Sequence, residues 1–286
     1  MSNISPTPTA PAAVGVIGGG RMGAGIAQSF AAVGSSVVVV ESDAQAAAAA
    51  LDRIAIGLKR AAERGKLTEP AEQVLDRVTT AGSVDGLPAA ADLVVEAVPE
   101  NPALKARLLA AAENSVGERT VLATNTSSLS VTELASALTR PGRFLGMHFF
   151  NPVPASDLVE LVIASETEAD VVRSALDWTH ALGKKDVVVK DSPGFASSRL
   201  GLEAIRMVEE GVADPEAIDD AMSLGYKHPM GPLRLTDLVG LDVRLAIAEY
   251  LHATLGERFA PPKLLRDKVA HGELGRKTGK GFFSWE

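Results

Sequence analysis

The chain of 286 residues is predicted to fold as an α/β domain built on a parallel sheet, followed by a smaller all-α domain. Three observations predict this. Short apolar runs alternate with alanine- and leucine-rich helical stretches up to about residue 190; a glycine-rich turn closes the first of those runs; and from about residue 195 only helical patterns remain.

Ala13 to Ile17 is apolar and ends in glycines, Met22 to Val33 reads as helix, and Val37 to Val40 is a second apolar run that stops at Glu41: strand, helix, strand. A helix over Ala44–Arg64 follows, then a strand at Leu93–Ala97, a helix at Leu104–Asn114 and a strand at Thr120–Ala123. Alternation of this kind places helices on both faces of a parallel sheet. Phe144–Met147, Leu158–Ile163 and Val187–Val189 extend the sheet, with a helix over Ala169–Leu182 before the last. The character changes at Lys190-Asp191-Ser192-Pro193-Gly194, where Ser192 can cap a helix and Pro193 fits its first position. Phe195–Glu210, Pro215–Leu224, Leu233–Val239, Val243–Leu255 and Pro262–Val269 are then helical. The domains are residues 13–190 and 191–286. Residues 1–12 are small, polar and proline-rich, lack the features of a secretory signal, and read as a disordered tail.

A net charge of −8 argues against a nucleic-acid binder, because neutralising many phosphates needs a basic surface. With no cysteine there are no disulfides, thiol nucleophiles or thiolate metal sites, which fits a reducing, cytoplasmic setting. No apolar stretch reaches the roughly 18 residues that a spanning helix requires, so no membrane association is expected. No metal site is expected either.

The clearest chemical motif is GVIGGGRMGAGIAQ. Gly18, Gly20 and Gly23 form GxGxxG after the first strand and at the start of the first helix, with Met22 inside the turn. Glycine lets a pyrophosphate approach the backbone, and the N–H groups and dipole of the helix start attract it. Glu41 ends the second strand, where an acid accepts hydrogen bonds from ribose hydroxyls and disfavours a 2′-phosphate. Together they predict a Rossmann-type domain that binds NAD rather than NADP. Asp43 reads as a helix N-cap.

RFLGMHFFNPVPASDLVELV supplies His148 and, from a second apolar run, Glu160. Imidazole accepts and returns protons near neutrality, and a desolvated carboxylate fixes its tautomer and stabilises its charged form. A core histidine beside an edge carboxylate would read the same way. Asn125 to Leu129 follow the strand VLAT, at the carboxyl edge where open α/β sheets bind ligands. There Ser127 could donate to a substrate oxygen, although a turn capping a helix near Val131 explains the serines equally. Glu100 and Lys105 follow LVVEA at the same edge, with a helix N-terminal acid and an exposed surface lysine as the alternative.

In combination and order, GGGRMGAGIAQ, DLVVEAVPEN, ATNTSSLS, GMHFFNPV with LVELV, DSPGF followed by SRL, GYKHPMGPLRLTDLVGLD and GRKTGKGFF resemble the L-3-hydroxyacyl-CoA dehydrogenase family, of the 3-hydroxybutyryl-CoA dehydrogenase type. The resemblance runs from about Ala13 to the end. It implies a homodimeric enzyme that interconverts short- to medium-chain L-3-hydroxyacyl-CoA and 3-ketoacyl-CoA with NAD, its site lying between the two domains. It also implies that His148 is the catalytic histidine, Glu160 its carboxylate partner and Ser127 the hydroxyl that bonds substrate. His148 would take the hydroxyl proton as hydride leaves C3, and Glu160 would stabilise the imidazolium. Glu100 and Lys105 match positions near the nicotinamide end of the cofactor, and Asn125 is taken with them as a cofactor contact. Arg64 and Lys66, in AERGKLT, resemble the family's CoA-contacting segment, with a solvated basic turn as the alternative. Phe149, Phe150 and Pro152 are assigned to packing.

One residue departs from the family. The asparagine usual after PGF is Ser198 here, which keeps a donor but is shorter, so a direct substrate contact would run through water. The terminal GRKTGKGFF is not a phosphate-binding P-loop, because glycine follows Gly279-Lys280 where Ser or Thr is required. Two other readings remain. One is a dehydrogenase of a free hydroxy acid, as in the gulonate dehydrogenase and lambda-crystallin branch, which tends to lack Phe-Phe after the histidine. The other is a non-catalytic NAD-binding protein, motivated by Ser198.

Overall fold

A computed structural model describes residues 8–195 and 197–286, without the side chains of residues 197–201. The chain divides into two compact units, the first ending at Asp191 and the second beginning at Ser192.

The first unit is one eight-stranded sheet: β1 (Ala13–Ile17), β2 (Ser36–Val40), β3 (Val78–Ala81), β4 (Leu93–Glu96), β5 (Val121–Thr124), β6 (Phe144–Phe149), β7 (Leu158–Ile163) and β8 (Lys185–Lys190), in spatial order β3-β2-β1-β4-β5-β6-β7-β8. The central strands are valine- and leucine-rich because helices cover both faces. Those helices are α1 (Arg21–Ala32), α2 (Ala44–Glu63), α3 (Ala71–Leu75), α4 (Pro102–Ser115), α5 (Val131–Ala135) and α6 (Ala169–Ala181). Val14, Val16, Val39, Leu93 and Val95 pack with Ile26 and Phe30 of α1 in the core. Asp43 caps α2, accepting from the Ala46 N–H at 2.8 Å.

Three features differ from the sequence expectation. β3 and α3 were not anticipated, since VTTA is half polar and AEQVL is too short to show a helical period. The sheet is not wholly parallel: β6 and β7 run antiparallel. Their link, residues 150–157, holds no helix, and a parallel crossover needs about a dozen residues or more. Finally, the expected disordered tail is too long at its far end. Pro11 is buried and its carbonyl accepts from the Ser35 hydroxyl at 2.6 Å, while the Ala12 and Ala13 N–H groups donate to Asp92 Oδ2 at 2.7 and 3.1 Å. The rest of that tail, residues 1–7, lies outside the described residues.

The second unit contains α7 (Ser197–Glu209), α8 (Pro215–Asp220), α9 (Pro232–Val239), α10 (Leu241–Leu255) and α11 (Lys263–Ala270), packed around Ile205, Ile218, Leu233, Leu241, Leu251 and Leu265. Ser192 does not cap α7. Gly194 and Phe195 both take left-handed φ values, 73° and 48°, so the chain turns there before the helix begins. Among the described residues, no helix is long and apolar enough to cross a membrane.

Two buried aspartates organise the second unit. Asp219 accepts from the Leu233 and Arg234 N–H groups at 2.8 and 2.9 Å and so satisfies the start of α9. Asp237, 1% exposed, accepts from the Phe282 and Phe283 N–H groups and from the Trp285 indole at 2.8–2.9 Å. A Cβ at Gly281 would lie 2.2 Å from Asp237 Oδ1, so glycine there is required for the contact. The terminal GRKTGKGFF is thus a closure onto α9.

Asp237→Ala should therefore strand three donors, each costing about 1–3 kcal/mol if it stays buried. Urea unfolding should show a loss near 3 kcal/mol, and a loss below about 1 kcal/mol would mean that the closure contributes little.

Candidate active site

The first cluster lies at the carboxyl ends of β1 and β2. Gly18 has φ 93°, and a Cβ at Gly23 would sit 1.7 Å from the Gly18 carbonyl oxygen, so α1 can start this close to β1 only with glycine at both positions. Gly20 is exposed and would meet nothing within 4 Å. The first intrahelical bond is Ala24 N–H to Gly20 O, at 2.9 Å, so the N–H groups of Arg21, Met22 and Gly23 precede the helical ladder. No acid stands in the first turn of α1. An open, glycine-floored helix start with no acid in its own first turn suits a pyrophosphate. Glu41 stands beside it, its Oε1 accepting from the Gly19 N–H at 2.6 Å. Met22 is half-buried against the core.

The second cluster lies at the ends of β4 and β5. Glu96 is fully buried. Its Oε1 accepts from the Val98 N–H (2.6 Å) and Lys105 Nζ (2.8 Å), and its Oε2 from Lys105 (3.0 Å) and the Thr124 hydroxyl (2.6 Å). Lys105, 1% exposed, also reaches the Val98 carbonyl at 3.1 Å and Glu100 Oε2 at 3.3 Å. The exposed surface lysine considered from sequence is excluded. Glu100 Oε1 accepts from the Thr126 hydroxyl at 2.6 Å, the Ser127 N–H at 3.0 Å, and the Ser127 and Ser128 hydroxyls at 3.3 Å. Burial pushes the Glu100 carboxyl up, but the Lys105 charge, the Thr126 hydroxyl and the Ser127 N–H outweigh it and hold the group below its ordinary value.

The third cluster is created by the antiparallel pair. His148 of β6 stands directly opposite Glu160 of β7, and Nδ1 lies 2.7 Å from Glu160 Oε2. Their side chains are 9% and 1% exposed. A carboxylate only accepts, so the bond assigns the proton to Nδ1 and leaves Nε2 as the acceptor of the neutral ring. Phe150 was assigned to packing, yet its ring lies 4.4 Å from the His148 ring, centroid to centroid. Phe149 does pack, edge-on to Phe30 at 6.4 Å, whereas Pro152 is exposed and Val153 is buried instead.

Hydrogen bonds join the second and third clusters. Asn125 Oδ1 accepts from the Phe149 N–H at 2.8 Å, tying the Ser127 loop to the neighbour of His148. The far end of that loop is held by Asp191, whose Oδ2 accepts from the Ser130 hydroxyl (2.7 Å) and the Thr132 N–H (2.8 Å). Ser130 also caps α5 through the Glu133 N–H at 3.1 Å. Arg64 and Lys66 stand apart, in the exposed turn after α2, roughly 30 Å along that helix from Asp43 at 1.5 Å per residue. Ser198 lies in the first turn of α7, and its side chain is outside the described residues. Sequence reasoning missed Glu96 and Asp191. The signal for Glu96 was a lone acid ending an otherwise apolar strand, which needs a counter-charge. Among the described residues, no group of three or more acidic or histidine side chains could hold a metal ion.

Comparison with known proteins covers both units. A family profile described as "3-hydroxyacyl-CoA dehydrogenase, NAD binding domain" matches residues 13–192, and one described as "3-hydroxyacyl-CoA dehydrogenase, C-terminal domain" matches residues 194–285. The chain is 43% identical over 277 residues to a "Probable 3-hydroxybutyryl-CoA dehydrogenase" of Bacillus subtilis, spanning 95% of this chain and 96% of that one. It is 44% identical over 276 residues to a protein of the same description from Deinococcus radiodurans, spanning 95% and 99%. Among solved structures, (S)-3-hydroxybutyryl-CoA dehydrogenase PaaH1 from Ralstonia eutropha matches with a TM-score of 0.88 at 41% identity, over 97% of this chain and 100% of that one.

The lowered Glu100 value carries a pH signature. Because the folded value lies below the unfolded one, its contribution to stability is complete above the ordinary 4.5 and is lost as pH falls through the folded value. The stability gap between wild type and Glu100→Gln, measured by urea unfolding, should be widest above that value and narrow below it. A gap that stays constant from about pH 6 to 3 would contradict the assignment.

Proposed function

The chain belongs to the 3-hydroxyacyl-CoA dehydrogenase family, a family of NAD-dependent oxidoreductases, and on that premise we propose that it interconverts short- to medium-chain L-3-hydroxyacyl-CoA and 3-ketoacyl-CoA, 3-hydroxybutyryl-CoA and acetoacetyl-CoA among them. The observation that carries the proposal is the cross-strand pair of His148 and Glu160. With its Nδ1 proton directed at Glu160, His148 accepts the substrate hydroxyl proton at Nε2 during oxidation and returns it during reduction. Glu160 stabilises the imidazolium between those steps. NAD, held at Gly18, Gly20, Met22 and Gly23 with Glu41 at its ribose, supplies the hydride acceptor or donor.

Ser127 donates to the substrate oxygen from a loop that Glu100, Asn125 and Asp191 hold in place. Glu100, Lys105 and Asn125 line the nicotinamide side, Arg64 and Lys66 meet the CoA moiety, and Ser198 contacts the acyl group. The names of relatives more than 40% identical favour a CoA thioester over a free hydroxy acid. The enzyme acts as a cytoplasmic homodimer; exposed apolar side chains on the helical unit, Leu224, Tyr226 and Leu235 among them, give a second copy a surface to cover.

Following NADH absorbance with acetoacetyl-CoA tests the reaction: wild type should turn over, and NADPH should not substitute. No turnover with any acyl-CoA, despite NADH binding, would favour the free hydroxy acid or the non-catalytic reading. His148→Ala should lose on the order of 10²–10⁴ in kcat while NADH affinity survives, and wild-type rates would remove the assignment. Since reduction needs protonated His148 and oxidation needs it neutral, ketoacyl reduction should favour the lower pH, and coincident pH profiles would contradict the base role.

A further inference from the structure

Glu96 takes no part in the proton transfer at His148, yet it is fully buried and ionic. Such a group is costly to retain where a well-packed apolar side chain would serve, so packing alone does not account for it. The charges of its cluster do not cancel. The Lys105 ammonium stands between the carboxylates of Glu96, at 2.8 Å, and Glu100, at 3.3 Å. The Val98 N–H and the Thr124 hydroxyl donate to the Glu96 carboxylate, and the Thr126 hydroxyl and the Ser127 N–H donate to the Glu100 carboxylate and help to hold it below its ordinary value. Two negative charges and one positive charge leave one net negative charge.

The cluster also has a definite place in the topology. Strand order reverses where β1 pairs with both β2 and β4, and a dinucleotide straddles such a switch point. Glu41 and the glycine turn put the adenosine half on the β2 side, which leaves the β4–β5 edge, with Glu96, Lys105 and Glu100, for the nicotinamide half. Nicotinamide is a cation when oxidised and neutral when reduced.

We propose that the Glu96–Lys105–Glu100 cluster selects the oxidised cofactor electrostatically, its net negative charge stabilising the cationic ring over the neutral one. Glu96 is the positioning residue: it holds the ammonium at 2.8 Å, closer than Glu100 at 3.3 Å, so that one positive charge is shared between two carboxylates and does not neutralise both. The inference rests on the NAD reading of the glycine turn and is independent of the acyl substrate.

Dissociation constants for NAD⁺ and NADH, measured by titration calorimetry without acyl-CoA, test it. In Glu96→Gln the ratio Kd(NAD⁺)/Kd(NADH) should rise about tenfold, the size expected for one unit charge acting through partly buried surroundings. Glu100→Gln, whose side chain is 32% exposed and tolerates change more readily, should shift the ratio the same way and keeps the test available if Glu96→Gln does not fold. Equal weakening of both nucleotides, with the ratio unchanged, would overturn the proposal and leave the cluster a purely structural role. Failure of wild type to bind either nucleotide would instead overturn the NAD reading beneath it.

Discussion

The reversal of chain direction between β6 and β7 is the constraint on which the candidate site depends. It sets His148 and Glu160 directly opposite each other on one face of the sheet, where two side chains can share a 2.7 Å hydrogen bond. The connection that makes the reversal is itself fixed. Lys184 donates to the carbonyls of Val153, at 2.7 Å, and Ser156, while a Cβ at Gly25 would lie 2.9 Å from Val153, so the hairpin end rests closely on α1. Burial lowers the Lys184 pKa despite the nearby Asp157, a sign of how dry this clasp is. The helix that begins at the glycine turn thus also supports the strand pair that carries the histidine.

The buried Glu96–Lys105 ion pair and the buried His148–Glu160 hydrogen bond both lie at the carboxyl edge of the sheet. Glu96–Lys105 ends β4, and His148–Glu160 joins the far half of β6 to β7. Buried polar pairs are weak stabilisers compared with apolar packing, and the surrounding core is mainly aliphatic and aromatic. Their presence at one edge makes that edge electrically specific: one pair sets a tautomer, and the other ties the ends of β4 and β5 together through the Thr124 hydroxyl. The second unit uses buried charge differently. Asp219 and Asp237 accept mainly from backbone N–H groups and serve to close the chain on itself.

What was legible in the sequence follows from how local each feature is. The glycine turn was readable because backbone approach leaves no substitute for glycine at Gly18 and Gly23, and β1 and β7 were readable to the residue because turn-forming residues bound compact apolar runs. Features set by tertiary contact were not. The runs carrying His148 and Glu160 could be seen, but their meeting depends on an antiparallel pairing that alternating elements had suggested would be parallel. Lys105 resembled any lysine on an amphipathic helix until α4 placed it over Glu96. Ser192-Pro193 had the chemistry of a helix start, and left-handed backbone at Gly194 and Phe195 overrode it. Phe150 was indistinguishable from its buried neighbour Phe149, although its ring lies tilted against the histidine ring.

The most direct measurement is the nitrogen NMR spectrum of the His148 ring in the wild-type protein at a pH where the imidazole is neutral, assigned by the loss of its signals in His148→Gln. The cross-strand pair requires the Nδ1–H tautomer, with a protonated Nδ1 and a lone-pair Nε2. Predominance of the Nε2–H tautomer would mean that Glu160 does not set the ring, and His148 could not act as the base in the way its geometry indicates.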